Sequence, residues 1–309
     1  MNICMLHCTC SRVLGSPFQS TEFRMKKPAP LLCACLLALA STLSAGTALA
    51  HESAASTADA QVPPQLQAAI AGSWRTPANV LRDEYRHPAQ TLAFFGLQPT
   101  QTVIEITPGG GWYSEILAPY LRDGGKYVAA VVDPAALPAG GGRDYQQRSR
   151  DGLSKKFAAS PAQFDRATEV AYNPAAPVLG APGSADLVLT FRNVHNWRSS
   201  GQAEGMFKAF FDVLKPGGTL GVVEHRAKAD VPADDGSGYV GQAQIIAMAE
   251  AAGFTLAGSS EVNANPRDTK DYPKGVWTLP PSNSHDAADA AKYKAIGESD
   301  RMTLRFVKQ

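Results

Sequence analysis

Cysteine is missing from most of this chain. The five that exist, Cys4, Cys8, Cys10, Cys33 and Cys35, all precede residue 50 of a 309-residue sequence. Residues 51–309 therefore hold no disulfide, and a body of that length needs none to be stable. Charge of one sign is also missing. The formal net charge is +1, with no basic block to suit nucleic acid and no acidic tail. Internal repeats are absent, so the chain is no repeat array.

Long apolar runs are scarce, and the one present stands near the start. From Met25 the chain reads MKKPAPLLCACLLALASTLSAGTALA. Two lysines precede the apolar stretch, and Ala48-Leu49-Ala50 is a small-x-small site. This is the layout of a secretory signal peptide, with translation starting at Met25 and cleavage after Ala50. Residues 1–24 have no place in such a signal. The alternative is an uncleaved membrane anchor, but Ser41, Thr42, Ser44, Gly46 and Thr47 make its second half too polar for a good span. Residues 1–50 carry four Lys/Arg and one Asp/Glu, so 25 basic and 27 acidic residues remain, a net charge of −2. The expectation is an exported, periplasmic protein with no stable membrane insertion after cleavage. Residues 51–64, HESAASTADAQVPP, read as a flexible leader. Everything from 65 to 309 reads as one domain.

Within that domain strands and helices alternate. TVIEI (102–106), KYVAAVV (126–132), ATEVAY (167–172), ADLVLTF (185–191) and TLGVVEH (219–225) read as strands. Helices are expected at 112–121, near 144–158, at 203–214 and before Gly253. FTLAGSSEV and MTLRFV form two final strands, separated by a long loop (264–300) with one helical turn near 286–293. Pro88 suits a first helical turn and Gly96 a C-terminal cap. Near-continuous apolar strands alternating with helices predict an α/β fold, a doubly wound, mostly parallel sheet covered on both faces.

The first strand ends in VIEITPGGGWYSEIL, residues 103–117. In an open α/β sheet, ligands bind beyond the carboxyl ends of the strands, and the turn after the first strand is a usual place. Gly109, Gly110 and Gly111 lack Cβ atoms, so backbone there can approach a ligand closely. The helix start that follows favours negative charge. A dinucleotide wants G-x-G-x-x-G. Here the register runs Gly109-Gly110-Gly111-Trp112-Tyr113-Ser114, and Ser114 stands where the third glycine belongs.

The same stretch resembles the first motif of the class I methyltransferases, which use S-adenosylmethionine. Glu105 stands for the motif's acid, and Gly109 and Gly111 for its second and third glycines. Thr107 replaces the first glycine. Asp133 ends the second strand, where an acid of that family binds both ribose hydroxyls. LKPGG before the fifth strand and the C-terminal strand pair also match. The resemblance runs from about residue 80 to 309. It implies a seven-stranded Rossmann-like sheet with a C-terminal antiparallel strand pair. It also implies S-adenosylmethionine as cofactor, bound by Glu105, Thr107, Gly109, Gly110, Gly111 and Asp133. The chain looks most like exported bacterial proteins described as predicted methyltransferases of unassigned substrate. Asp133 also suits an N-cap before Pro134.

FRNVHNW (191–197) follows the fourth strand, an edge that faces the reactive methyl in the family it resembles. Methyl transfer needs alignment first. It needs a base only when the acceptor must lose a proton, and His195 suits that role near neutral pH. Arg192 could hold an acidic group of the substrate or the cofactor's carboxylate. Asn193 completes the catalytic set, and Trp197 could wall the pocket. Glu224 and His225 point to the same edge and could contact substrate. Two histidines without a third ligand nearby do not make a metal site, so none is expected. Before the first strand, Tyr85 or Arg86 could close over the ligand, with surface ion pairing to Asp83 or Glu84 as the alternative. One of Trp112 and Tyr113 should line the pocket and the other pack on the sheet. The reading is a methyltransferase of a small-molecule acceptor. Its rivals are a non-catalytic periplasmic binding protein of the same fold and a nicotinamide-dependent oxidoreductase. The binding protein gains weight because S-adenosylmethionine is made in the cytoplasm. Acceptor and oligomeric state are not legible.

Overall fold

The computed structural model describes residues 62–309. The signal peptide, the start at Met25 and all but the end of the leader lie outside the described residues. No helix among the described residues is long and apolar enough to cross a membrane.

Seven strands form one sheet: β1 Thr102–Ile106, β2 Lys126–Val132, β3 Thr168–Tyr172, β4 Ala185–Phe191, β5 Leu214–His225, β6 Phe254–Ser260 and β7 Arg301–Lys308. Their order is β3-β2-β1-β4-β5-β7-β6. β1 to β5 run parallel, while β7 lies antiparallel between β5 and β6. This is the Rossmann-like methyltransferase sheet with its C-terminal antiparallel pair, as expected. Central and edge strands differ as burial requires. β2 is buried at six consecutive positions, whereas β6 alternates buried or half-buried with exposed residues. A strand covered on both faces reads as a continuous apolar run, and one covered on a single face alternates.

The pleat sends neighbours to opposite cores. Ile104 and Ile106 of β1 join Val188, Val222, Phe207 and Phe210 on one face. Val103 joins Leu187, Leu189, Ile116, Leu117 and Leu92 on the other. The first face is covered by the helices Ala203–Val213 and Gln242–Ala251, the second by Pro64–Ile70, Pro88–Phe94 and Ser114–Leu121. Pro88 does open its helix, and Gly96 follows its end with φ 75°.

Three local expectations need correction. β5 begins at Leu214, five residues early, because Leu214 pairs with Ala185 ahead of a register shift in the β4–β5 ladder. FRNVHNW, to which no helix was assigned, contains one: Val194–Ser199 is helical. Residues 264–300 hold more than one helical turn, with 3₁₀ turns at Gly275–Thr278 and Ala287–Asp289 and a helix at Ala290–Ile296. Strand order reverses at β1, which lies between β2 and β4. A crevice opens at the carboxyl ends of the strands beside such a reversal.

Candidate functional site

That crevice is a cleft of about 350 Å³, within the usual range for a small-molecule pocket. Six stretches build it: residues 79–86 before β1, the glycine turn after β1, the helix Gly141–Ala159, the end of β4 with the helix after it, the end of β5, and residues of the 264–300 segment.

The turn depends on left-handed backbone. Thr107, Gly109 and Gly111 have φ values of 48°, 58° and 77°. Thr107 takes the conformation its glycine counterpart would adopt freely, at a cost in strain. Two hydrogen bonds hold it there: its N–H donates to the Ala130 carbonyl at 2.8 Å, and its hydroxyl lies 2.7 Å from that of Tyr172, at the end of β3. A Cβ at Gly109 or Gly110 would meet nothing within 4 Å, so both present bare backbone to open space. Their amides find no backbone acceptor, and both residues line the cleft. Gly111 is glycine for another reason. A Cβ there would sit 2.9 Å from Leu153 of the helix Gly141–Ala159.

Glu105 lies beneath the turn and is 2% exposed. Ser114 Oγ and the Tyr127 hydroxyl donate to its Oε2 at 2.8 and 2.7 Å. Burial pushes its pKa up to about 7 despite these donors. Ser114, where a dinucleotide site would have glycine, thus anchors the acid. Trp112 and Tyr113 both line the cleft, although only one was expected to. Tyr113 stacks on Phe191 at 3.5 Å between ring centroids, and burial pushes its hydroxyl up to about 12.

The opposite wall turns on Glu224, which is fully buried. Its Oε2 accepts from the Val194 N–H at 2.7 Å, and its Oε1 from the His225 N–H at 2.8 Å. The same Oε1 lies 3.0 Å from His195 Nδ1. The carboxylate therefore starts the helix Val194–Ser199 and grips the His195 ring, leaving Nε2 without a protein partner. Glu224 is not among the cleft-lining residues; its carboxylate is engaged by Val194, His225 and His195. His225 Nδ1 lies 2.5 Å from Ser299 Oγ. Burial, with His195 and Arg192 near, holds the His225 pKa well below the ordinary imidazole value, so its ring is neutral at pH 7.

Asn193 lines the cleft, but its amide group is committed. Nδ2 donates to the Ile106 carbonyl at 3.0 Å and to Thr190 Oγ1 at 3.1 Å, tying the end of β4 to the end of β1. Asp133 lies outside the cleft lining. Its carboxylate accepts from the Ala135 N–H at 3.0 Å and caps the turn Pro134–Ala136. Trp197 does not wall the pocket; it packs in the core 5.5 Å from Phe210. Arg86 lines the cleft and Tyr85 does not.

The partner of Arg82 and Arg86 is not the neighbouring Asp83 or Glu84. Both reach Glu298, more than 200 residues away, at 2.6 and 3.3 Å. Arg301 meets the same carboxylate at 2.8 Å. Three guanidinium groups hold the Glu298 pKa down to about 2 against the cost of burial. Trp277 also lines the cleft, its ring centroid 5.9 Å from that of His195. Glu298, Ser299 and Trp277 all come from the segment read as loop, where no periodicity marked them.

The sequence offered no third ligand beside His195 and His225. The fold supplies Glu224, and the three could each present a ligand atom within 4.8 Å of the others. Both Glu224 oxygens already accept hydrogen bonds, which fits an orienting carboxylate better than a metal ligand.

No protein-family model matches this sequence, and no curated protein matches it. Solved structures do share the fold. A SAM-dependent methyltransferase from Aquifex aeolicus is 17% identical, with 61% of this chain and 88% of that one covered and a TM-score of 0.47. The cyclase SpnF is 16% identical over 77% of this chain and 84% of its own, with a TM-score of 0.48. An arsenic(III) S-adenosylmethionine methyltransferase from Chlamydomonas reinhardtii is 15% identical over 80% and 74%, with a TM-score of 0.45. None of the three scores reaches one half, and the likeness adds nothing to what the strand order already establishes.

Proposed function

We propose that the protein is an S-adenosylmethionine-dependent methyltransferase acting on a small molecule outside the cytoplasm. One juxtaposition carries the reading. Bare backbone amides at Gly109 and Gly110 and the free Nε2 face of His195 line one cleft at the point where strand order reverses. The turn suits the cofactor because nothing occupies the Cβ positions of Gly109 and Gly110. Thr107, Gly109 and Gly110 would hold it, with Glu105 beneath; Gly111, whose N–H donates to the Pro108 carbonyl, lies outside the cleft lining and shapes the turn. When bound, the cofactor supplies a methyl carbon already activated by a sulfonium.

The chain's own residues supply alignment and proton removal. In the tautomer whose Nδ1–H donates to Glu224, the His195 Nε2 lone pair would accept a proton from the acceptor. Trp277 and Tyr113 supply aromatic lining to the same cleft. Export rests on the apolar run after Met25.

Calorimetry with S-adenosylhomocysteine tests the reading. Binding should release or absorb heat and raise the melting temperature. No heat and no thermal shift at millimolar ligand would sink it. A second reading, a binding protein without turnover, rests on the same apolar run after Met25, since S-adenosylmethionine is made in the cytoplasm; turnover of any acceptor excludes it. Asp133→Ala separates the two ideas about this residue. A weakened S-adenosylhomocysteine affinity makes Asp133 a ribose contact, and an unchanged one makes it a cap alone.

A further inference from the structure

One end of the cleft holds more positive charge than the protein balances. Arg82, Arg86 and Arg192 line it, and Arg301 stands behind them. Arg82, Arg86 and Arg301 share the carboxylate of Glu298. Glu224 is committed to His195 and to the start of the helix after β4.

Their hydrogen bonds are incomplete as well. Arg86 is 2% exposed, yet its Nη2 has no partner, and the Nη2 of Arg82 is likewise buried and unpartnered. Among the described residues the Arg192 side chain makes no hydrogen bond and no ion pair. Trp112 offers Arg86 only its ring face, at 4.7 Å. Burial and mutual repulsion with Arg301 push the Arg192 pKa down to about 10, so it keeps its charge at pH 7. Burying donors and charges without partners costs free energy, which a bound anion would offset. The planar guanidinium fork matches an oxyanion.

S-adenosylmethionine brings a single carboxylate and does not neutralise this end of the cleft. Its ammonium and sulfonium outnumber its carboxylate, so it arrives with a net positive charge. We propose that the methyl acceptor is itself an anion, a small molecule whose carboxylate, phosphate or sulfonate is held by Arg82, Arg86 and Arg192. The acceptor role rests on the methyltransferase reading; the anion site itself does not.

The test uses thermal shift and calorimetry on the purified protein with inorganic phosphate, S-adenosylhomocysteine and 5′-methylthioadenosine, which lacks the carboxylate. Phosphate should stabilise the parent, and its effect should add to that of S-adenosylhomocysteine. Arg192→Met should weaken phosphate binding by about tenfold or more, through loss of a charge-assisted contact. It should melt no lower than the parent without phosphate, since Arg192 has no partner to lose. Arg86→Met supplies the same readout at a second position if it folds. No stabilisation by phosphate, or equal stabilisation of parent and Arg192→Met, overturns the site. Loss of S-adenosylhomocysteine affinity in Arg192→Met, with methylthioadenosine unaffected, assigns the arginines to the cofactor's carboxylate and overturns the anionic acceptor. Phosphate binding without any S-adenosylhomocysteine binding refutes the methyltransferase reading and leaves the anion site standing.

Discussion

His195 Nδ1 lies 3.0 Å from Oε1 of Glu224, a carboxylate with no solvent exposure. The pairing fixes the tautomer of a ring whose other nitrogen faces the cleft. Nitrogen-detected NMR should therefore report the Nδ1–H form of neutral His195, and Glu224→Gln should mix the tautomers. With a protic acceptor, His195→Ala should slow turnover about a hundred- to ten-thousand-fold, the usual worth of a general base. Glu224→Gln should slow it less. A Glu224→Gln ring that stays purely Nδ1–H would refute the positioning role.

Thr107 stands where a glycine would be unstrained, with φ 48° and a hydroxyl 2.7 Å from that of Tyr172. Thr107→Gly relieves about 1–2 kcal/mol of left-handed strain while losing a hydrogen bond worth about 1 kcal/mol. Thr107→Ala keeps the strain and loses the bond. Urea midpoints should rank alanine below both glycine and the parent. An alanine variant as stable as the glycine one would show that the strain does not operate, and one as stable as the parent that the hydrogen bond does not.

Glu298 holds three arginines together. Removing its charge leaves them uncompensated, and Glu298→Gln should cost about 3–5 kcal/mol, the usual penalty for breaking a buried pair from one side. Its folded pKa is about 2, against 4.5 for an ordinary glutamate. A depressed carboxylate contributes stability that is present above pH 4.5 and lost as pH falls toward 2. Denaturation across that window should therefore steepen in the parent and flatten in Glu298→Gln.

Glu105 works in the opposite direction. Its folded pKa is raised to about 7, so the native state holds a proton that the unfolded chain gives up near 4.5. Stability should then fall as pH rises from 4.5 to 7, by about 3 kcal/mol in the limit set by 1.36 kcal/mol per pKa unit. Glu105→Gln should remove that slope. Chemical denaturation at three pH values decides it, and parallel curves for parent and variant would contradict the raised pKa.

How much was legible follows from the range of the forces. β1, β2 and β4 begin and end where their apolar runs do, because burial on both faces demands continuous apolar side chains. β5 was misjudged at its start because Lys215-Pro216-Gly217-Gly218 has the chemistry of a turn. The helix at Val194 was missed because its N-terminus is satisfied by Glu224, 30 residues on. His195 and Arg192 stood out by their chemistry. Their setting did not, since Glu298, Ser299 and Trp277 lie in a segment without periodicity.

The sequence by itself determined the sheet, its alternation with helices and the place of the glycine turn. Those features follow from hydrophobic periodicity and turn chemistry, which act over a few residues. Only the tertiary structure decided what the polar residues do. It set Glu224 behind His195, gave Ser114 and Tyr127 to Glu105, turned Asp133 to a cap and gathered three arginines around Glu298. A buried charge must find its partner wherever the fold places one, and no local pattern records that distance.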